Sequence, residues 1–142
     1  MGKPTGFLEY ARKEPGKRPV AKRVKDYREV EQPLTNEELQ IQAARCMDCG
    51  VPFCHAFGCP LANVIPEFVD MVYRGQWQRA LEVLHSTNNF PEITGRICPA
   101  LCEAACTLAI NADSVSIRHI ENQIAERGWS EGWIVPQPPP VE

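Results

Sequence analysis

The sequence predicts a small all-α domain stabilised by bound metal. Apolar residues recur at helical spacing in several short segments, while no stretch alternates polar and apolar like a half-buried strand and no βαβ pattern or internal repeat is present. Seven cysteines fall in two bursts: Cys46, Cys49, Cys54 and Cys59 in "RCMDCGVPFCHAFGCP", and Cys98, Cys102 and Cys106 in "RICPALCEAACTL". A chain of 142 residues buries only a modest core, so ligated metal supplies stability that packing cannot.

Residues 1–32 are polar, basic and interrupted by Pro4, Pro15 and Pro19. This predicts an extended arm with at most a short helix, ordered only by packing on something else. Thr35 with Glu38 makes a capping-box pattern that opens a helix running to about Arg45 and delivering Cys46 at its end. The first burst carries Gly50, Pro52, Gly58 and Pro60 and reads as loop. "PEFVDMVYRG" puts Phe68, Val69, Val72 and Tyr73 on one helix face, with Pro66 in the first turn and Gly75 as the stop. "WQRALEVLHS" repeats the arrangement with Trp77, Ala80, Leu81 and Leu84, so an antiparallel helical pair is expected. "TNNFPEITGR" reads as a loop and "CEAACTLAI" as a short helix; "VSIRHIENQIAERG" carries an Ile117, Ile120, Ile124 stripe with Gly128 as terminator. The tail "WIVPQPPPVE" reads as a linker. The expected organisation is an arm over 1–32, a helical domain over 33–128 and a linker over 129–142.

The net charge is -3, which argues against a nucleic-acid or anionic-membrane surface as the main business. Residues 1–31 hold nine of the 15 Lys and Arg, namely Lys3, Arg12, Lys13, Lys17, Arg18, Lys22, Arg23, Lys25 and Arg28. This predicts a solvated basic arm or, more sharply, a docking segment for an acidic partner in which Arg18, Lys22 and Arg23 take part. The N-terminus shows no signal-peptide run, and no segment approaches the roughly 20 apolar residues of a membrane helix. A cytoplasmic location is therefore expected, where thiols stay reduced; an odd cysteine count, moreover, does not pair completely within one chain.

Metal is then the strong explanation for the thiols. Zinc takes four Cys or His ligands, which Cys46, Cys49, Cys54 and Cys59, or a set including His55, would provide. A redox C-x-x-C pair wants a thioredoxin-like βαβ setting, which is missing. Iron-sulfur cubanes need four ligands each on loops rich in Gly and Pro, and Cys59-Pro60 and Cys98-Pro99 resemble the Cys-Pro that ends a ferredoxin run. Seven cysteines are one short of two such sets, so a further side chain would supply the eighth ligand. Spacing alone leaves zinc and iron-sulfur both open.

The segments "RCMDCGVPFCH", "GCPLANVIPEF", "VYRGQWQRALEVLHSTNNFPEITGRICPALCEAAC" and "VSIRHIE" closely resemble the N-terminal iron-sulfur domain of the NADPH-dependent glutamate synthase small (beta) subunit family. More distantly they resemble the N-terminal domain of dihydropyrimidine dehydrogenase. The resemblance implies a helical ferredoxin domain with two [4Fe-4S] clusters and interleaved ligands: Cys46, Cys49, Cys54 and Cys106 for one; Cys59, Cys98 and Cys102 for the other, with Glu121 at the position of the eighth ligand. It implies an oxidoreductase subunit that passes electrons from NADPH-reduced FAD, bound downstream, toward FMN in a large (alpha) subunit. Four residues separate Cys54 from Cys59 where the dehydrogenase has three, so "HAFG" is expected to bulge. The chain ends at Glu142 without a G-x-G-x-x-G, and is expected to be the electron-transfer part of a larger polypeptide or a short relative. The same module in another flavin-dependent reductase, or a zinc-stabilised interaction module, are the alternatives.

Of the other candidates, His55 is read as a loop residue near a cluster, and His85 and His119 as caps or surface residues. Arg96 and Arg118 either raise a cluster's potential or make surface ion pairs. Asn88 to Glu92 supply either hydrogen bonds under a cluster or ordinary turn chemistry. Trp77, Trp129 and Trp133 are read as packing groups. No catalytic residue set is discernible.

Overall fold

The computed structural model describes residues 2–139; Met1 and the last three residues of the expected linker lie outside them. The order is α1 (Gly6–Glu9), β1 (Gly16–Lys17), α2 (Val20–Arg23), β2 (Glu31–Gln32), α3 (Asn36–Ala43), a π turn (Cys54–Gly58), α4 (Ile65–Tyr73), α5 (Trp77–His85), α6 (Pro91–Ile97), α7 (Leu101–Ala104), a 3-10 turn (Thr107–Ile110) and α8 (Ile117–Ser130). The all-α class is thus observed, with one two-residue antiparallel ribbon pairing Gly16 with Gln32 and Lys17 with Glu31.

The core forms where the apolar spacing puts it. Thr35 caps α3 in a full capping box with Glu38. Phe68, Val69 and Val72 of α4 meet Ala80, Leu81 and Leu84 of α5, all essentially inaccessible to solvent, and α8 closes the core with Ile117, Ile120 and Ile124. Helix α4 packs on α3 and α5, α5 on α8, and α8 on α6. Trp77 is buried in this core, with the Arg127 guanidinium 4.7 Å from its ring centroid. Trp129 is exposed.

Three elements differ from the sequence expectation. The segment expected as a loop before the second burst contains α6, which starts on Pro91 and lies so close to α8 that a Cβ on Gly95 would sit 2.6 Å from Asn122 Cβ. Seven residues are too few for a periodic signal, and burial against α8 stabilises the helix instead. Gly128 does not end α8. It lies inside the helix, where a Cβ would stand 2.7 Å from Leu81 Cδ2, so the residue is there for close approach; Gly132, at φ +71°, makes the turn beyond. Trp133 and Ile134 then fold back onto the core.

The arm contains two short helices and the ribbon, and it packs on the body. Gln42 Nε2 donates to the Ala11 carbonyl at 3.1 Å and accepts at Oε1 from Lys13 N–H at 2.9 Å. A Cβ on Gly6 would collide with the Ala44 carbonyl at 2.1 Å, so α1 lies directly on the end of α3. Arg18 grips Asp26 through both terminal nitrogens at 2.9 and 2.6 Å. That contact holds the Asp26 carboxyl down to about 2.

Candidate metal centre

The two bursts meet beneath the helices, and the way they meet groups the thiols. Helix α3 ends at Ala43, just ahead of the first burst, and the chain turns through Asp48 at φ +50° toward Cys49. Cys54 opens the π turn, which closes with Cys59 N–H donating to the Cys54 carbonyl at 2.9 Å. A π turn accommodates one residue more than an α turn, so the expected bulge at "HAFG" takes this form. A Cβ on Gly58 would lie 2.7 Å from Ala105 Cβ and 2.8 Å from Cys102 Cα; the absence of a side chain lets the π turn seat on α7. Helix α6 delivers Cys98 at its C-terminus and α7 carries Cys102. The left-handed non-glycine residues among the described ones are Asp48, Ala62 and Ala100, all in or beside the cysteine loops. Each costs roughly 1–2 kcal/mol, and such strain gathers at functional sites.

Cys46, Cys49, Cys54 and Cys106 line one narrow cavity, whose other walls include Phe53, Ile65, Val69 and Leu108. Burial pushes the Cys46 thiol up to about 12, with Cys54 and Cys106 adding to the rise. Burial likewise pushes Cys54 up to about 11, and Cys106 and Cys49 add to the rise. Burial raises Cys102 also, and there the groups acting on it are Glu121, Glu103, Cys59 and Cys98. The apolar cavity therefore takes thiols from both bursts, and Cys59 is not among its walls. His55 does not join either group: its Nδ1 donates to the Asn63 carbonyl at 2.8 Å.

Glu121 is the buried carboxylate of the second group. It projects from α8, only 6% exposed, and burial pushes its carboxyl up to about 7 against the pull of a hydrogen bond from Asn63. Asn63 Nδ2 donates to Glu121 Oε1 at 3.1 Å while its Oδ1 accepts from Thr87 Oγ1 at 2.8 Å. The Thr87 hydroxyl thus fixes the orientation of the amide. Neither Asn63 nor Thr87 was singled out in the sequence, because nothing in local spacing links position 63 to position 121.

The remaining candidates have structural partners. Arg96 pairs with Glu29 and with Glu126. Arg118 pairs with Glu31 at 3.0 Å and donates to the Gly95 carbonyl at 2.7 Å. Asn88 performs turn chemistry: Oδ1 accepts from Phe90 N–H and Nδ2 donates to Thr94 Oγ1. His119 is neither a cap nor a surface residue. It is 3% exposed and accepts at Nε2 from Leu34 N–H at 3.4 Å.

These donors fit iron-sulfur clusters. Buried thiols that resist ionising alone become thiolates when cationic iron arrives. Ala100 N–H already points at Cys98 Sγ at 3.4 Å, the backbone-to-sulfur contact that tunes such clusters. Among the described residues no three Cys, His, Asp or Glu side chains close on a single-ion site; the donors form walls. Fold and donor chemistry define an iron-sulfur domain of the helical ferredoxin kind.

Comparison with known proteins agrees. Residues 23–133 match the family described as dihydropyrimidine dehydrogenase domain II, 4Fe-4S cluster, and the chain belongs to that family. It is 56% identical over 140 residues to the glutamate synthase [NADPH] small chain of Mycobacterium tuberculosis, covering 98% of this chain and 28% of the relative. Identity is 52% over 147 residues to the corresponding small chain of Bacillus subtilis, covering 98% and 30%. It is 49% over 140 residues to glutamate synthase [NADH] of Schizosaccharomyces pombe, covering 98% and 7%. The chain therefore spans less than a third of the curated relatives it matches. No helix among the described residues is long and apolar enough to cross a membrane.

Proposed function

We propose that this chain is the electron-transfer module of a glutamate synthase small subunit. Residues 33–128 form the iron-sulfur body, residues 1–32 an arm laid over it and residues 129–142 a link toward FAD- and NADPH-binding regions. Cys46, Cys49, Cys54 and Cys106 hold one [4Fe-4S] cluster. Cys59, Cys98 and Cys102 hold a second, with Glu121 as its eighth-position ligand through the oxygen that Asn63 does not occupy. When bound, the clusters carry single electrons from reduced FAD toward FMN in a large (alpha) subunit, in the cytoplasm. The protein's own part is to bury the donors, aim N–H groups at sulfur and set the local charge.

The observation that supports this reading is the meeting of the bursts: Cys106 shares a cavity with three cysteines of the first burst, while Gly58, next to Cys59, packs against Cys102. Iron, sulfide and zinc analysis after anaerobic reconstitution tests it. About eight iron and eight sulfide per chain are expected, with a broad visible band that dithionite bleaches. Cys106→Ser and Cys59→Ser should each lose about half of the iron, leaving different clusters. Zinc without sulfide would replace the electron relay by a structural metal site.

A further inference from the structure

Charge is spread very unevenly along this chain. Residues 17–28 hold six Lys and Arg against a single Asp, a net +5, so the rest of the chain carries -8 within the total of -3. Among the described residues the side chains of Lys17, Lys22, Arg23, Lys25 and Arg28 make no hydrogen bond or ion pair. Only the sixth cation, Arg18, has a partner, and it is the single Asp26.

The segment that carries these charges is built rather than loose. It leaves and rejoins the body at the ribbon of β1 and β2. Arg18 N–H donates to the Val30 carbonyl at 2.9 Å, the Arg18 guanidinium takes both oxygens of Asp26, and Arg28 N–H donates to Asp26 Oδ1 at 2.9 Å. The returning stem is pinned to the helices by Glu29 on Arg96 and Glu31 on Arg118. Between the stems lies α2, which buries no residue. Val20 and Val24, one helical turn apart, are 59% and 71% exposed, and Tyr27 is fully exposed. Four helical residues do not hold together alone in water. A segment that served only solubility would need neither the brace nor the valines.

A braced ridge of free cations with apolar groups among them fits an acidic protein surface with a shallow apolar recess. Opposite charge speeds the encounter, and desolvated apolar and aromatic anchors then hold the complex. Polyanions fit less well. Nucleic acid would find Tyr27 as the one ring for stacking and a body of -8 behind it. A bilayer surface would receive two valines and a tyrosine, far less than the apolar face of an interfacial helix.

Resting on the glutamate synthase reading above, we propose that residues 17–28 are a preformed docking element for the large (alpha) subunit. Lys22, Arg23, Lys25 and Arg28 meet an acidic patch and Val24 and Tyr27 enter an apolar recess, while Arg18 and Asp26 brace the element from within.

The test uses this chain, reconstituted anaerobically, and the purified large subunit, with association and dissociation rates measured across a salt series. Wild-type association should fall steeply with salt. Lys22→Glu with Lys25→Glu should slow association about tenfold or more, and Val24→Ser with Tyr27→Ser should speed dissociation while the salt dependence stays. Arg79→Glu, a charge change of the same sign at an exposed site on α5, should leave both rates alone. Asp26→Asn separates shape from charge: it makes the segment more positive, yet loss of the brace should weaken binding. All variants should keep wild-type iron content. Unchanged rates in the ridge variants, equal slowing by Arg79→Glu, or tighter binding by Asp26→Asn overturns the proposal. So does a wild type that ignores the large subunit, or one that instead dimerises, binds phosphatidylglycerol vesicles or binds duplex DNA through the same residues. Zinc without sulfide in the wild type would overturn the reading beneath the proposal, a result distinct from any of these rates.

Discussion

The cavity of Cys46, Cys49, Cys54 and Cys106 is walled mainly by apolar side chains, whereas Cys102 lies near the carboxylates of Glu121 and Glu103. The two groups are built from the same two bursts and lie on the same small body, yet the side chains around them differ in polarity. Residue type at the ligand positions therefore says little about how a site behaves; the non-ligand charges and hydrogen bonds behind the ligands separate them. The seating also differs. The apolar group leans on α3 and α4, which belong to the central core, while the acidic group depends on close contacts among the π turn, α7 and α8.

The largest way to break this contrast is at Gly58. Gly58→Ala forces a methyl into Cys102 Cα and Ala105 Cβ, and overpacking of this kind costs about 2–3 kcal/mol. It pushes on the π turn that carries Cys54 as well as Cys59, but the added methyl meets Cys102 and Ala105 directly, so the acidic group is disturbed more than the apolar cavity. Thermal unfolding should show the loss, and the reconstituted protein should lose iron from the acidic group first; equal loss from both groups would mean that they are not separately seated.

A smaller effect is expected at Asn63. Asn63→Ala leaves the Glu121 carboxylate and the Thr87 hydroxyl without their partner, which costs about 1–2 kcal/mol for buried groups. The change sharpens the contrast because only one group hangs on it: the EPR signal of the Glu121-bearing cluster should change shape while the other persists. A signal indifferent to Asn63 would remove the amide from any role in holding Glu121.

The smallest expected effect lies in the arm, away from both groups. The Asp26 carboxyl is held at about 2, chiefly by Arg18 and then by the Arg28 backbone N–H. A depressed folded-state value means that the contact contributes above the ordinary carboxyl range, near 3.8, and fades as pH falls from there toward 2. Being exposed, it acts locally and is screened by salt. Asp26→Asn should speed amide exchange at Arg18, whose N–H bonds the Val30 carbonyl at 2.9 Å. Cluster content should stay the same, and changed iron would tie the arm to the sites.

Local signals served the helices well. The Thr35 capping box, Pro66 and Gly75 around α4, and the apolar stripes of α4, α5 and α8 all act over one or two turns, and each appears where the sequence places it. Features that depend on distant partners were not legible. Helix α6 exists because it lies on α8, Gly128 looks like a stop until Leu81 is seen beside it, and His119 is buried only because Leu34 folds over it. The donor residues were visible as residue types, but their spacing left zinc and iron-sulfur open, and the crossed grouping came from the family resemblance alone. Asn63 and Thr87 escaped notice because their partners lie far along the chain from them.

The crossed grouping also bears on the order of events in making the protein. A ribosome releases Cys46, Cys49 and Cys54 well before Cys106, with α4, α5 and α6 emerging in between. On the proposed grouping, a site that waits for Cys106 is incomplete while the first burst alone is outside, and cofactor loading would follow synthesis of both bursts. By the same connectivity, a backbone cut in the short segment between α5 and α6 would leave two fragments that share donors on both sides of the break. Filled sites would then hold the pieces together like a clasp, and chelation of iron would release them.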